Sequence, residues 1–173
     1  MWHGQDDAQN LGSIMTNAHN ITSIYVSPVY RCMEAARKIE EGASLHNIKM
    51  KIDPGLLEWA ATFGEVLSLE ELLRAGFNIS QESEPLMEAT DINVRETMKD
   101  YCIRSQRTFT HCLEDHRQTA REGTMLVVAH QMTMLKIPID SAKERIPFFL
   151  ELVQLGAKLP YLGHVWLSKD GNI

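Results

Sequence analysis

The stretch Ile24–Cys32, IYVSPVYRC, constrains the fold of this chain more than any other. Ile24 and Val26 flank Tyr25 in a β-prone run that begins at Ile21, and Ser27-Pro28 ends that run abruptly. Ser27 suits a helix N-cap and Pro28 the first helical position, where its missing N–H costs nothing. The spacing therefore predicts a strand over Ile21–Val26 running straight into a helix, with Arg31 in that helix's first turn. Free backbone donors and the positive end of the helix dipole favour an anion there, and a guanidinium beside them reads as one jaw of a phosphate clamp.

The rest of the chain repeats the alternation. Ala8, Leu11, Ile14 and Met15 recur at helical spacing and predict a helix over about Asp6–Thr16. Cys32, Ala35, Ala36 and Ile39 mark the buried stripe of the helix after Pro28, with Gly42 as its expected stop. Ile48, Met50 and Ile52 alternate with lysines as a short strand, turned by Asp53-Pro54-Gly55. Ser68 and Glu71 form a capping box for a short helix ending at Gly76, and Phe77–Asp91 reads as a loop. A long amphipathic helix is predicted over roughly Asn93–Asp115. Thr124–Ala129, TMLVVA, is a near-continuous apolar run, the pattern of a strand buried on both faces of a parallel sheet, and His130 stands at its carboxyl end. A helix over Lys143–Leu155, a strand over Gly163–Leu167 and a turn at Lys169–Gly171 complete the reading. Strands alternating with helices make the class α/β with a largely parallel sheet.

A length of 173 residues suits one domain with a real core. The formal net charge of -6 offers no general attraction to nucleic acid, so any phosphate must be held by local cations. Cys32, Cys102 and Cys112 fall on or near apolar helical stripes with no CxxC pair, and read as buried thiols of a reducing compartment. With no apolar run of transmembrane length and no signal-peptide pattern, no membrane association is expected, and cytoplasmic residence is the expectation. No metal and no cofactor are expected.

Ligands of open α/β sheets gather beyond the carboxyl ends of the strands. Arg31, Glu58 and His130 each follow a predicted strand, so all three fall on that edge. Singly, each has a plain structural reading: a surface arginine, an acid beside a core tryptophan, a strand-end histidine bonded into a loop. Together they suit phosphoryl chemistry. Arginine holds phosphate oxygens, histidine carries or stabilises a phosphoryl group, and a carboxylic acid protonates the leaving oxygen.

SPVYRCMEAA resembles the Ser-Pro-x-x-Arg segment of the phosphoglycerate-mutase-like histidine phosphatases, and VVAHQMTM resembles their second histidine motif. DPGLLEWA, LSLEELLRAGFNI, ETMKDYCIRSQRTF and LPYLG are similar to the phosphatase domain of the suppressor-of-T-cell-receptor-signalling proteins and the insect ecdysteroid-phosphate phosphatases. The resemblance implies a three-layer sandwich and one such domain over 1–173, shortened at both ends. It makes Arg31 a phosphate-binding arginine, Glu58 the acid that protonates the leaving group, and His130 the second active-site histidine. A phosphorylated small molecule or a phosphotyrosyl protein is the implied partner.

Two positions depart from that pattern. The family's nucleophile is the histidine of an Arg-His-Gly motif closing its first strand, whereas this chain has Trp2-His3-Gly4, with only Met1 and Trp2 ahead of the histidine. Residues 4–20 fit the helix that precedes the Ser-Pro strand. Gln131 also replaces the glycine after the second histidine. The expectation is a sheet lacking its usual first strand and a retained phosphate pocket with weak or absent turnover; the edge on Thr124–Ala129 is then filled by another segment, paired with a second copy of the chain in a homo-oligomer, or left open in a fragment or shortened product. The alternatives are an active phosphatase of phosphomonoesters or phosphotyrosine, and a non-catalytic protein-interaction domain.

Overall fold

The computed structural model describes residues 3–59, 66–93, 95–120, 122–130 and Thr133. The elements expected over Lys143–Leu155, Gly163–Leu167 and Lys169–Gly171 lie outside the described residues, as does Gln131. Along the chain run α1 (His3–Ala18), β1 (Ile21–Val26), α2 (Tyr30–Ala43), β2 (Met50–Ile52), α3 (Leu69–Arg74), α4 (Met98–Thr119) and β3 (Thr124–Val128).

The strands form one parallel sheet in the order β2-β1-β3, with Ile24 opposite both Met50 and Leu126. Because side chains alternate along a strand, β1 serves two cores. Ile24 and Val26 pack with Ala8 and Met15 of α1 and with Cys32, Met33, Ala36 and Ile39 of α2. Tyr25 points the other way, with Leu56, Cys112 of α4, Met125 and Val127. Polar contacts fasten the second face: Ser23 Oγ lies 2.7 Å from His116 Nδ1, and Tyr25 OH and Lys51 Nζ each donate to Asp115 Oδ2 at 2.5 Å. The result is α1 and α2, then sheet, then α4: the three layers expected.

Several expectations need correction. Ser27 does not cap α2 and Pro28 does not open it. Val29 is the N-cap, in an extended conformation and without a side-chain cap bond. Residues 27–29 stay extended because their backbone is tied elsewhere: Ser27 N–H donates to Val128 O at 3.1 Å and Leu67 N–H to Pro28 O at 2.9 Å. Arg31 still lies in the first turn. Nor is Gly42 a stop. It lies inside α2, which ends one residue later with Ser44 in the left-handed region at φ 56°. A Cβ on Gly42 would lie 2.0 Å from Gln9 O, and one on Gly12 would lie 2.3 Å from Ile39 O. The two glycines therefore let the backbones of α1 and α2 touch. Across that contact Ser13 and Thr16 donate to the carbonyls of Gly42 and Ala43, both at 3.1 Å, which satisfies carbonyls that a helix C-terminus leaves orphaned. Ala35 is only partly buried; Met33 takes its place in the core.

α4 begins at Met98 rather than Asn93, because Thr97 and Asp100 cap it reciprocally. It runs on to Thr119. The capping box at Ser68 and Glu71 forms as the sequence predicts. The loop over Phe77–Asp91 holds one short 3-10 turn, Ala89–Asp91, and a single bridge from Ile79 to Met50. β3 packs side chains on both faces, yet every residue of it is only half-buried. Its outer edge has no strand partner among the described residues.

Candidate active site

Each strand ends on the same side of the sheet, and each end contributes one group. Beyond β1, Ser27 leads through Val29 to Arg31 on α2. Beyond β2, Asp53 folds the chain back: its carboxylate accepts from Gly55 N–H at 2.8 Å and Leu86 N–H at 3.0 Å. The turn buries Leu56 and Leu57 and delivers Glu58. Beyond β3 stands His130.

The three candidate residues meet. Arg31 Nη2 donates to Glu58 Oε2 at 3.1 Å and to His130 Nδ1 at 2.9 Å. Glu58 Oε2 lies 3.5 Å from the same Nδ1. Burial is graded across the group: the side chain of Arg31 is 58% exposed, Glu58 25% and His130 3%. Arginine and the carboxylate face solvent, and the imidazole forms the floor.

The protonation of His130 follows from its neighbours. An arginine can only donate, so Nδ1 is an acceptor and the ring proton sits on Nε2. Nε2 then donates to Ser27 Oγ, 3.0 Å away. Burial pushes the imidazole down to about 4, and Arg31 and Arg104 push it the same way. His130 is therefore neutral, and its approach to Glu58 becomes an ion pair only if Nδ1 gains a proton. Cys32 Sγ lies 3.9 Å from Nε2, but burial pushes its thiol up to about 12, so it supplies no thiolate. Among the described residues no cluster of His, Cys, Asp or Glu could hold a metal ion.

Sequence reasoning missed three supports of this group. The sequence suits Ser27 to a helix cap, whereas its hydroxyl orients His130. Tyr101 OH pairs with Thr133 Oγ1 at 2.8 Å, tying the chain beyond His130 to α4. Arg104, only 6% exposed, bonds the carboxylate of Glu96 and the carbonyls of Gly55, Leu57 and Glu58. One signal for it exists in the sequence: an arginine three residues beyond Tyr101 falls on the buried stripe of the helix.

His3, the other histidine singled out, is the first residue of α1, ahead of β1 in the chain and not at the end of a strand. That is the helix the sequence places before the Ser-Pro strand.

Comparison with known proteins identifies the family and the fold. Residues 2–141 match the sequence model of the Histidine phosphatase superfamily (branch 1). The chain is 32% identical over 139 residues to the ecdysteroid-phosphate phosphatase of Drosophila melanogaster, covering 76% of this chain and 18% of that protein. It is 28% identical over 128 residues to human ubiquitin-associated and SH3 domain-containing protein A, covering 70% of this chain and 19% of that protein. It thus spans about a fifth of the length of these curated relatives. The ecdysone phosphate phosphatase of Bombyx mori, solved in complex with tungstate, superposes with a TM-score of 0.72 at 22% identity, over 83% of this chain and 59% of that one.

Proposed function

The chain belongs to branch 1 of the histidine phosphatase superfamily, and from that premise we propose that it binds phosphomonoesters in the Arg31–His130 pocket and hydrolyses them at or near background. The observation that carries the reading is the convergence of Arg31, Glu58 and His130 beyond three strand ends. Arg31 offers a half-exposed guanidinium from the first turn of a helix, the place where an oxyanion gains most from backbone donors and the dipole. Its Nη2 donates to Glu58 and His130. A phosphoryl oxygen entering here takes the N–H now given to Glu58. A phosphorylated steroid, small molecule or phosphotyrosyl group fits this recognition equally, because the phosphoryl group alone is read. The tungstate of the Bombyx mori relative is an oxyanion of the same shape.

The groups of the described pocket support the reading of weak turnover. A histidine nucleophile would divide one hard displacement into two easier ones through a phosphohistidine. His130 is neutral, but its Nδ1 faces Arg31 and its Nε2 faces Ser27. His3 opens a helix instead of closing a strand. Charge stabilisation by Arg31 remains, without in-line attack. The test is hydrolysis of p-nitrophenyl phosphate by the wild-type chain, His3→Ala and His130→Ala, and the expected rate is background in all three. Robust turnover lost in His3→Ala would make Trp2-His3-Gly4 a working variant motif. Turnover that survives in His3→Ala and dies in His130→Ala would make His130 the nucleophile.

A further inference from the structure

Glu58 lies on a stretch with no regular secondary structure, yet its carboxylate must be held against Arg31. Its carbonyl and those of Gly55 and Leu57 converge on one guanidinium. Arg104 Nη1 donates to Gly55 O at 2.8 Å and to Leu57 O at 2.9 Å, and Nη2 donates to Glu58 O at 3.4 Å. The remaining donors, on Nε and Nη2, reach the two carboxylate oxygens of Glu96 at 3.0 and 2.5 Å. An arginine has five N–H bonds, and here each has its own acceptor. Glu96 grips the far side as well: its backbone carbonyl accepts from Trp59 Nε1 at 2.9 Å. The pair thus holds the residues before and after Glu58, and Glu58's own carbonyl.

We propose that the buried Arg104–Glu96 pair is a positioning device that sets Glu58 against Arg31 and so governs how readily the pocket admits an anion. The inference rests on the anion-site reading above. Two features favour positioning over packing alone. Both partners are nearly buried, and desolvating an ion pair costs several kcal/mol per ion that an apolar filler would not. An apolar filler, however, could not orient three carbonyls. The geometry around the guanidinium is also closely fitted. The Tyr101 ring lies 5.1 Å from it, and α4 approaches Gly55 so nearly that a Cβ there would lie 2.0 Å from Thr108 Oγ1. Lysine retains the charge but has only three donors and no planar fork, so Arg104→Lys leaves carbonyls of residues 55–58 unheld.

The experiment is a double-mutant cycle on tungstate affinity, measured by isothermal titration. In the wild-type background, Glu58→Gln removes a charged competitor for Arg31 and tightens binding about tenfold. In the Arg104→Lys background, Glu58 is no longer held against Arg31, and the same substitution changes affinity by less than about twofold. An equal effect in both backgrounds overturns the proposal. If circular dichroism shows Arg104→Lys unfolded, the paired replacement Arg104→Met with Glu96→Leu removes both charges together and carries the same cycle. If the wild-type chain takes up no tungstate, the anion-site reading fails, and the crystal structure of Arg104→Lys decides the positioning question. A Glu58 carboxylate moved beyond ion-pair distance of Arg31 supports it; an unmoved one overturns it.

Discussion

His130 meets a constraint on each ring nitrogen: Arg31 donates to Nδ1, and Nε2–H donates to Ser27 Oγ. Burial is the larger reason that its imidazole is held down to about 4, with Arg31 and Arg104 adding to it. The consequence for stability has a definite sign. A free histidine titrates near 6.5, so between about 6.5 and 4 the unfolded chain binds a proton that the folded chain refuses. Stability contributed by neutral His130 is present above the unfolded value and is lost as pH falls toward the folded one. The full window is worth about 3 kcal/mol. Urea unfolding at pH 7 and pH 4.5 should show the wild-type chain losing about 2 kcal/mol more than His130→Gln, whose amide does not titrate. Equal losses in both chains would mean that His130 takes up its proton while folded. The histidine itself was legible in the sequence, as the polar residue closing an apolar run. Its tautomer was not, because that depends on Arg31, 99 residues away.

At the scale of elements, the local signals that were legible are those whose physics is local. Ile21–Val26 forms the strand its β-branched residues predict, and Ser68 with Glu71 caps α3 as their spacing requires. Gly42 misleads because a glycine near a helix end reads as a stop, whereas its use here is to admit the backbone of another helix. Nothing within ten residues of it carries that information. Gly42→Ala would raise helix propensity if α2 stood alone. In place, the new Cβ meets the backbone of Gln9, which cannot yield as a flexible side chain would. The expected outcome is destabilisation by about 2 kcal/mol, read from the urea midpoint. A gain in stability would show that α1 and α2 separate at little cost. Ser27 misleads in the same way. Its cap signal is real, but two backbone bonds hold residues 27–29 extended and delay the helix to Tyr30.

For the whole molecule, the alternation of strands and helices was enough to read three layers and a ligand edge, since parallel strands connected by helices place their carboxyl ends together. The sheet's middle member among the described strands, β1, carries the Ser-Pro junction at its end, with β2 and β3 delivering Glu58 and His130 on either side. What alternation could not convey is the support behind the edge: Arg104 acts from α4 across the far layer, 46 residues along the chain from Glu58. The proposed oxyanion site at the meeting point of Arg31, Glu58 and His130 is open to direct test. The measurement that tests it most directly is a crystal structure of the chain soaked in tungstate. The predicted result is tungstate oxygen within hydrogen-bond distance of the Arg31 guanidinium, beside the His130 ring, with Glu58 turned away from Arg31. Tungstate bound elsewhere, or the Arg31–Glu58 contact unbroken at saturating anion, would contradict it.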